Sequence, residues 1–140
     1  MAQPIDILLV EDDPADAELT LRALSRSGLE PTVEHAPDAE EALDALERRG
    51  LRPRLVLLDL KLPGMSGLDL LRRLRSADGT RTLPVVVFTS SAEPRDLTGS
   101  YGAGANAYAQ KPVNFDDFGE TLRRVCQFWL AVNRAPEPPA

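Results

Sequence analysis

Short apolar runs and longer amphipathic stretches alternate along this chain. The apolar runs lie at residues 5–10, 32–35, 55–58 and 85–88, with a shorter one at 107–109. Three of them are almost unbroken Val, Leu and Ile, the pattern of strands covered on both faces. The stretches between them carry helix signals. Asp13-Pro14 opens the first, Leu19, Leu21 and Leu24 give it an apolar face, and Gly28 ends it. Asp38 begins the second, with Ala39, Ala42, Leu43 and Leu46 turned inward and Gly50 beyond its end. Ser66 caps the third, with Asp69 at the capping-box position and Leu70, Leu71 and Leu74 apolar. Pro94 opens a short fourth helix that stops in the glycine-rich segment 99–104. Asn114 caps a fifth that runs from Phe115 to about Asn133.

Five strand–helix units in succession predict parallel strands joined by right-handed crossovers. The expected fold is α/β, a doubly wound five-stranded parallel sheet between two helical layers. Ligands of such sheets bind beyond the carboxyl ends of the strands. Strands one, three, four and five therefore bring Asp12, Asp59, Thr89 and Lys111 to one rim.

The chain has 140 residues, enough for one compact domain, and is 43% hydrophobic but only 5% aromatic, so its core is mostly Leu, Val and Ala. A net charge of -6 and scattered arginines argue against a general grip on nucleic acid. One cysteine excludes an internal disulfide, and with a single histidine a zinc cage is implausible. The first residues have neither a basic flank nor a long apolar stretch, and no apolar run approaches membrane-spanning length. Cytoplasmic residence is the expectation. The proline-rich residues 135–140 are expected to be a disordered tail after a domain spanning 1–134.

Acidic residues at the strand ends suggest a hard-metal site. Magnesium takes oxygen ligands, often one or two carboxylates plus waters. Glu11, Asp12 and Asp59 are the candidate ligands, whereas Asp13 is better placed to cap the following helix. A carboxylate can also accept a phosphoryl group, and a metal, an ammonium and a hydroxyl then stabilise the charge that develops. Lys111 and Thr89 are the candidate ammonium and hydroxyl. A cis bond before Pro112 would aim Lys111 inward. Taken alone, Glu11-Asp12-Asp13 reads equally well as a cap and solvated loop, Thr89 as a β-former ending a strand, and Lys111-Pro112 as a turn. Their conjunction at four strand ends is what favours a site.

Four motifs in order carry a family resemblance: Leu8-Leu9-Val10-Glu11-Asp12-Asp13, the run from Leu57 to Gly67, Val87-Phe88-Thr89-Ser90-Ser91, and Tyr108-Ala109-Gln110-Lys111-Pro112. The chain resembles the receiver domain of two-component response regulators over about residues 5–133. The resemblance implies a flavodoxin-like (βα)5 fold with strand order 2-1-3-4-5. It implies that Asp59 is the phosphorylated residue, that Glu11, Asp12, Asp59 and the Lys61 backbone carbonyl hold Mg2+, and that Thr89 and Lys111 contact the phosphoryl group. Tyr108 matches the aromatic that follows Thr89 in the switch. Glu11 stands where many members carry Asp. The implied partner is a histidine kinase, and the protein is a phosphoacceptor that catalyses its own phosphorylation and dephosphorylation rather than an enzyme acting on others. Lys61 and Ser91 flank the site and are candidates for tuning the lifetime of the phosphate. Asp16, Leu19, Thr20 and Ala23 on the first helix are candidate kinase contacts.

The short tail leads to the expectation of a stand-alone receiver signalling by protein contact. Phe128-Trp129-Leu130 and Phe88-Thr89-Ser90-Ser91 are similar to single-domain regulators that serve phytochrome-type histidine kinases, so a bacteriophytochrome partner is implied. On the last helix Phe118, Leu122, Phe128, Trp129 and Leu130 form a broad apolar stripe, the candidate interface of a homodimer. A broad core helix with a few exposed apolar residues is the simpler alternative. His35 is expected away from the rim, and Cys126 to serve packing.

Three other functions fit less well. A phosphatase acting through an aspartyl phosphate needs Asp-x-Asp directly after the first strand, a pattern that Glu11-Asp12-Asp13-Pro14 breaks. A degenerate, unphosphorylated docking module is disfavoured because every expected site residue is present. A nucleotide or flavin binder would need a glycine-rich phosphate loop after the first strand, which is missing.

Overall fold

The computed structural model describes residues 3–136. The elements alternate as β1 (Gln3–Val10), α1 (Pro14–Ser25), β2 (Val33–Ala36), α2 (Ala39–Leu43), β3 (Leu51–Leu58), α3 (Gly67–Ser76), β4 (Val85–Thr89), α4 (Pro94–Gly102), β5 (Ala107–Gln110) and α5 (Phe115–Cys126). Two helices continue in π-helical geometry, α2 through Asp44–Arg48 and α5 through Gln127–Val132. All strands pair in parallel, in the order β2-β1-β3-β4-β5. This is the expected flavodoxin-like sheet.

The caps form where short polar side chains precede the helices. Asp13 accepts from the amides of Ala15 and Asp16, Asp38 from that of Glu41, Ser66 from that of Asp69, and Asn114 from those of Asp116 and Asp117. Each satisfies amides that have no partner within the helix.

Strand side chains alternate between the two faces of the sheet, and two cores follow. Ile7, Leu9, Leu55, Leu57, Val86 and Phe88 pack with Ala17, Leu24, Phe118 and Leu122 on the α1/α5 side. Leu8, Val10, Val56, Leu58 and Val85 pack with Ala42, Leu70, Leu71 and Leu74 on the α2/α3 side. β3 begins at Leu51, four residues before the apolar run at 55–58. Its opening residues pair only with β1, as Leu51 with Gln3 and Pro53 with Ile5, while pairing to β4 starts at Val56. That stretch has a free side, where a proline without an N–H is tolerated.

The last helix corrects the sequence expectation. Phe118 (4% exposed), Leu122 (0%) and Leu130 (8%) are buried in the α1/α5 core and cannot offer a surface to a second chain. Phe128 is 48% exposed, and Trp129 is half-buried with its ring edge-on to Phe128, the centroids 5.0 Å apart. In an α-helix each four-residue step drifts by about 40° from the face it started on. The wider π-turns after Cys126 counter that drift and return Leu130 to the core. The Leu130 carbonyl is also tied down by the Arg54 guanidinium at the start of β3. Of the proline-rich tail, Ala135 and Pro136 are in neither helix nor strand, and residues 137–140 lie outside the described part.

Candidate functional site

The period of two places the chemistry as well as the core. Glu11 follows Ile7 and Leu9, Asp59 follows Leu55 and Leu57, and Lys111 follows Ala107 and Ala109, so all three continue the α1/α5 face past the ends of their strands. They meet there. The Lys111 ammonium donates to Glu11 Oε1, to Asp59 Oδ2 at 3.0 Å and to Asp16 Oδ2 at 3.0 Å. Its Nζ also stands 5.9 Å from the centre of the Phe88 ring, inside cation–π range. No cis peptide occurs among the described residues, so Lys111 turns inward across a trans bond to Pro112.

The acids are closely gathered. Glu11, Asp12 and Asp59 each offer a carboxylate oxygen, all within 4.8 Å of one another. Oxygens around an octahedral Mg2+ at roughly 2.1 Å stand about 3 Å apart when adjacent and about 4 Å when opposed. The three carboxylates offer the oxygen donors that a hard divalent ion takes, gathered closely enough to converge on one. Asp59 Oδ1 accepts from the Lys61 amide at 3.3 Å, which brings the loop after β3 over the carboxylate. Glu11 Oε2 accepts from the Asp13 amide at 3.2 Å.

Glu11 and Lys111 are both buried. Burial raises the Glu11 carboxyl to about 7; the nearby Asp59 charge adds to this, and the bond from Lys111 only partly offsets it. For Lys111 the largest single influence is also burial, which favours loss of its proton. The bond to Glu11 and the charges of Asp59 and Glu11 together outweigh it, and the ammonium is held above its ordinary value.

Thr89 and Tyr108 lie on the opposite parity. Thr89 is fully buried, and its Oγ1 stands 3.4 Å from the Ser91 amide. The half-buried Tyr108 donates its hydroxyl to the Ser91 carbonyl at 2.8 Å. Ser91 donates in turn to Asp96 Oδ2 at 2.5 Å, in the first turn of α4. Thr89, Tyr108 and α4 are thus joined through one loop.

Two residues at the rim differ from the sequence reading. His35 was expected away from it, yet its Nε2 lies 2.7 Å from the Glu11 carbonyl oxygen. A carbonyl only accepts, so this nitrogen carries the hydrogen and donates. The register brings Ala36 beside Val10, which puts His35 within reach. Asp16 was read as a candidate kinase contact on the first helix, and the structure bonds it to Lys111. Helical side chains lean toward the N-terminus, so an acid in the first turn of α1 leans toward the rim; that is the signal that could have revealed it. Thr20, a candidate docking residue, is buried and donates to the Asp16 carbonyl at 2.8 Å.

Residues 7–123 match the response regulator receiver domain, and the chain belongs to that family. It is therefore a response regulator receiver of the two-component type. It is 40% identical over 139 residues to the probable methanogenesis regulatory protein FilR2 of Methanothrix harundinacea, covering 96% of this chain and 90% of that one. It is 33% identical over 142 residues to the response regulator Rcp1 of Synechocystis, covering 95% and 94%. Among solved structures, the phosphorylated cyanobacterial phytochrome response regulator RcpA superposes with a TM-score of 0.89 at 31% identity, over 96% of this chain and all of that one. The Mn(2+)-bound form of Rcp1 gives 0.86 at 32%, over 95% and 99%. The bacteriophytochrome response regulator RtBRR gives 0.74 at 44%, over 99% and 85%.

Proposed function

We propose that this receiver takes a phosphoryl group from a histidine kinase onto Asp59, with Mg2+ held by Glu11, Asp12, Asp59 and the Lys61 carbonyl. The observation that carries the reading is Lys111, a buried ammonium bonded at once to Glu11 and Asp59 beside the three gathered carboxylates. One Asp59 oxygen attacks phosphorus, and the bond to the donor's histidine nitrogen breaks with its electrons staying on the imidazole. Lys111 and the Thr89 hydroxyl balance negative charge on the transferring oxygens. A divalent ion held by these ligands would supply further positive charge to the transfer. Water later attacks the acyl phosphate, releasing inorganic phosphate and restoring the carboxylate. Thr89 and Tyr108 shift with the phosphate, and the Ser91 loop passes the change to α4. Phosphate selects whichever arrangement it binds better.

The kinase is of phytochrome type in this reading, supported by the similarity to Rcp1, RcpA and RtBRR. The protein acts in the cytoplasm as a homodimer through the end of the last helix, where Phe128 and Val132 are exposed. The receiver occupies residues 1–134. No described helix is long and apolar enough to cross a membrane.

Acetyl phosphate with Mg2+, followed by intact mass, tests the central claim. One phosphoryl adduct is expected, absent in Asp59→Asn and absent when the metal is chelated. An adduct that persists in Asp59→Asn would overturn it.

A further inference from the structure

A lysine ammonium has three protons to donate. At Lys111 all three have carboxylate acceptors, on Glu11, Asp59 and Asp16. Two of these belong to residues that the proposed reaction uses. Glu11 and Asp59 have their other oxygens engaged by the Asp13 and Lys61 amides, so an ion held by Glu11 competes with Lys111 for that carboxylate. A phosphoryl group on Asp59 takes one of its two oxygens. Asp16 is the only one of the three acceptors outside the gathered metal-type trio.

Asp16 is also built to stay in place. Its amide is bonded to the Asp13 cap at 3.2 Å, and its carbonyl accepts from the buried Thr20 hydroxyl. It sits in the first turn of α1, where the helix N-terminus favours a negative charge. Its side chain is 41% exposed, while that of Lys111 is 6% exposed. The more exposed carboxylate is thus bonded to a buried ammonium and ties it to the start of α1.

We infer that Asp16 is a positioning residue for phosphoryl acceptance: it holds the Lys111 ammonium in the pocket while Glu11 and Asp59 exchange partners. The inference rests on the phosphoacceptor reading above. What Asp16 contributes is an acceptor atom at a fixed place, not a negative charge as such. An amide at this position keeps the acceptor, and a methyl removes it.

The test compares wild type, Asp16→Asn and Asp16→Ala in three measurements. The first is the rate of phosphorylation by acetyl phosphate. The second is Mg2+ affinity by calorimetry, and the third is the 1H–15N signal of the Lys111 ammonium, with thermal unfolding to establish that each variant is folded. Asp16→Ala is expected to slow phosphorylation about tenfold, the usual scale for losing one bond to a charged group. Asp16→Asn should stay within about threefold of wild type, since its amide oxygen still accepts. Neither variant should bind Mg2+ more weakly. The Lys111 signal should persist in wild type and Asp16→Asn and be lost to solvent exchange in Asp16→Ala.

Wild-type rates in Asp16→Ala, or an unchanged Lys111 signal, would overturn the inference. An equal loss in both variants would also overturn it, by making charge the active property. Weaker Mg2+ binding in Asp16→Ala would assign the residue to the ion instead. If wild type itself takes no phosphoryl group, the acceptor reading fails, and the ammonium signal still decides whether Asp16 holds Lys111.

Discussion

Gly67 is confined to its hydrogen side chain by the backbone that it touches. A Cβ there would stand 2.4 Å from the Asp59 carbonyl oxygen and 2.7 Å from the Leu60 Cα, and main chain cannot swing aside as a side-chain tip does. Gly67→Ala must move either α3 or the segment bearing Asp59. A loss of about 1–3 kcal/mol is expected in urea unfolding, together with slower phosphorylation, because the displaced segment carries Asp59, the proposed acceptor. Glu11 has the opposite character, a group that the fold tolerates at a penalty. Its carboxyl is raised from 4.5 to about 7 by burial. Between those values the folded protein keeps a proton that the unfolded chain has released, so stability falls as pH rises across that window. Above it the loss is complete, at up to about 3 kcal/mol. Melting of the metal-free protein from pH 4.5 to 8 should show this slope, and Glu11→Gln should flatten it. Lys111 adds nothing to that window. Its own titration lies higher: the stabilisation from its raised value is lost as pH climbs past 10.5.

Elements are also joined by single long side chains at the end of the sheet opposite the site. Arg75, near the end of α3, donates to the carbonyls of Gly104 at 2.9 Å, Leu83 at 2.7 Å, Arg81 at 3.0 Å and Thr80 at 3.3 Å, and to Asn106 Oδ1 at 2.9 Å. Asn106 Oδ1 also accepts from the amide of Val85 at 2.8 Å. One guanidinium therefore fixes both the entry to β4 and the loop before β5, the two strands that carry Thr89 and Lys111 to the rim. Gly104 lies so close that a Cβ there would meet the Arg75 Cγ at 2.8 Å. Arg75→Ala is expected to destabilise the fold by about 3 kcal/mol, measured by denaturant unfolding. Arg75→Lys should recover little, since an ammonium lacks the planar fork that spans these acceptors. The surface pairs differ in kind. Arg123 and Arg124 hold Glu120 down to about 2, yet the group is solvent-exposed and its pairing adds little to stability.

For the whole molecule, the end of the last helix is where the proposed homodimer would form. Phe128 and Val132 are exposed beside the half-buried Trp129, while Leu130 is sealed into the core by the π-turns. Phe128→Asp should still fold as a monomer, because the half-exposed ring lies outside the buried core. Sedimentation should show wild type as a dimer and the variant as a monomer; identical sedimentation of both would remove the interface. α4 leaves one of its buried polar groups unpaired. Its Ser100 hydroxyl is buried with no hydrogen-bond partner, the one such side-chain atom found among the described residues, and two glycines lie in its nine residues. A helix of that kind moves at low cost, which suits the element linked through Ser91 to Thr89 and Tyr108.

The order of strands and helices, the caps at Asp13, Asp38, Ser66 and Asn114, and the convergence of Glu11, Asp59 and Lys111 could be read from the chain alone. All of these follow from local rules: a period of two in strands, a polar side chain before each helix, and parallel strands that must end on one rim. His35 on the Glu11 carbonyl, Arg75 across two loops and Leu130 in the core could not be read that way. Each depends on how far one element stands from another, and on where a helix changes its winding. Those distances are set by packing in three dimensions, which no periodicity along the sequence encodes.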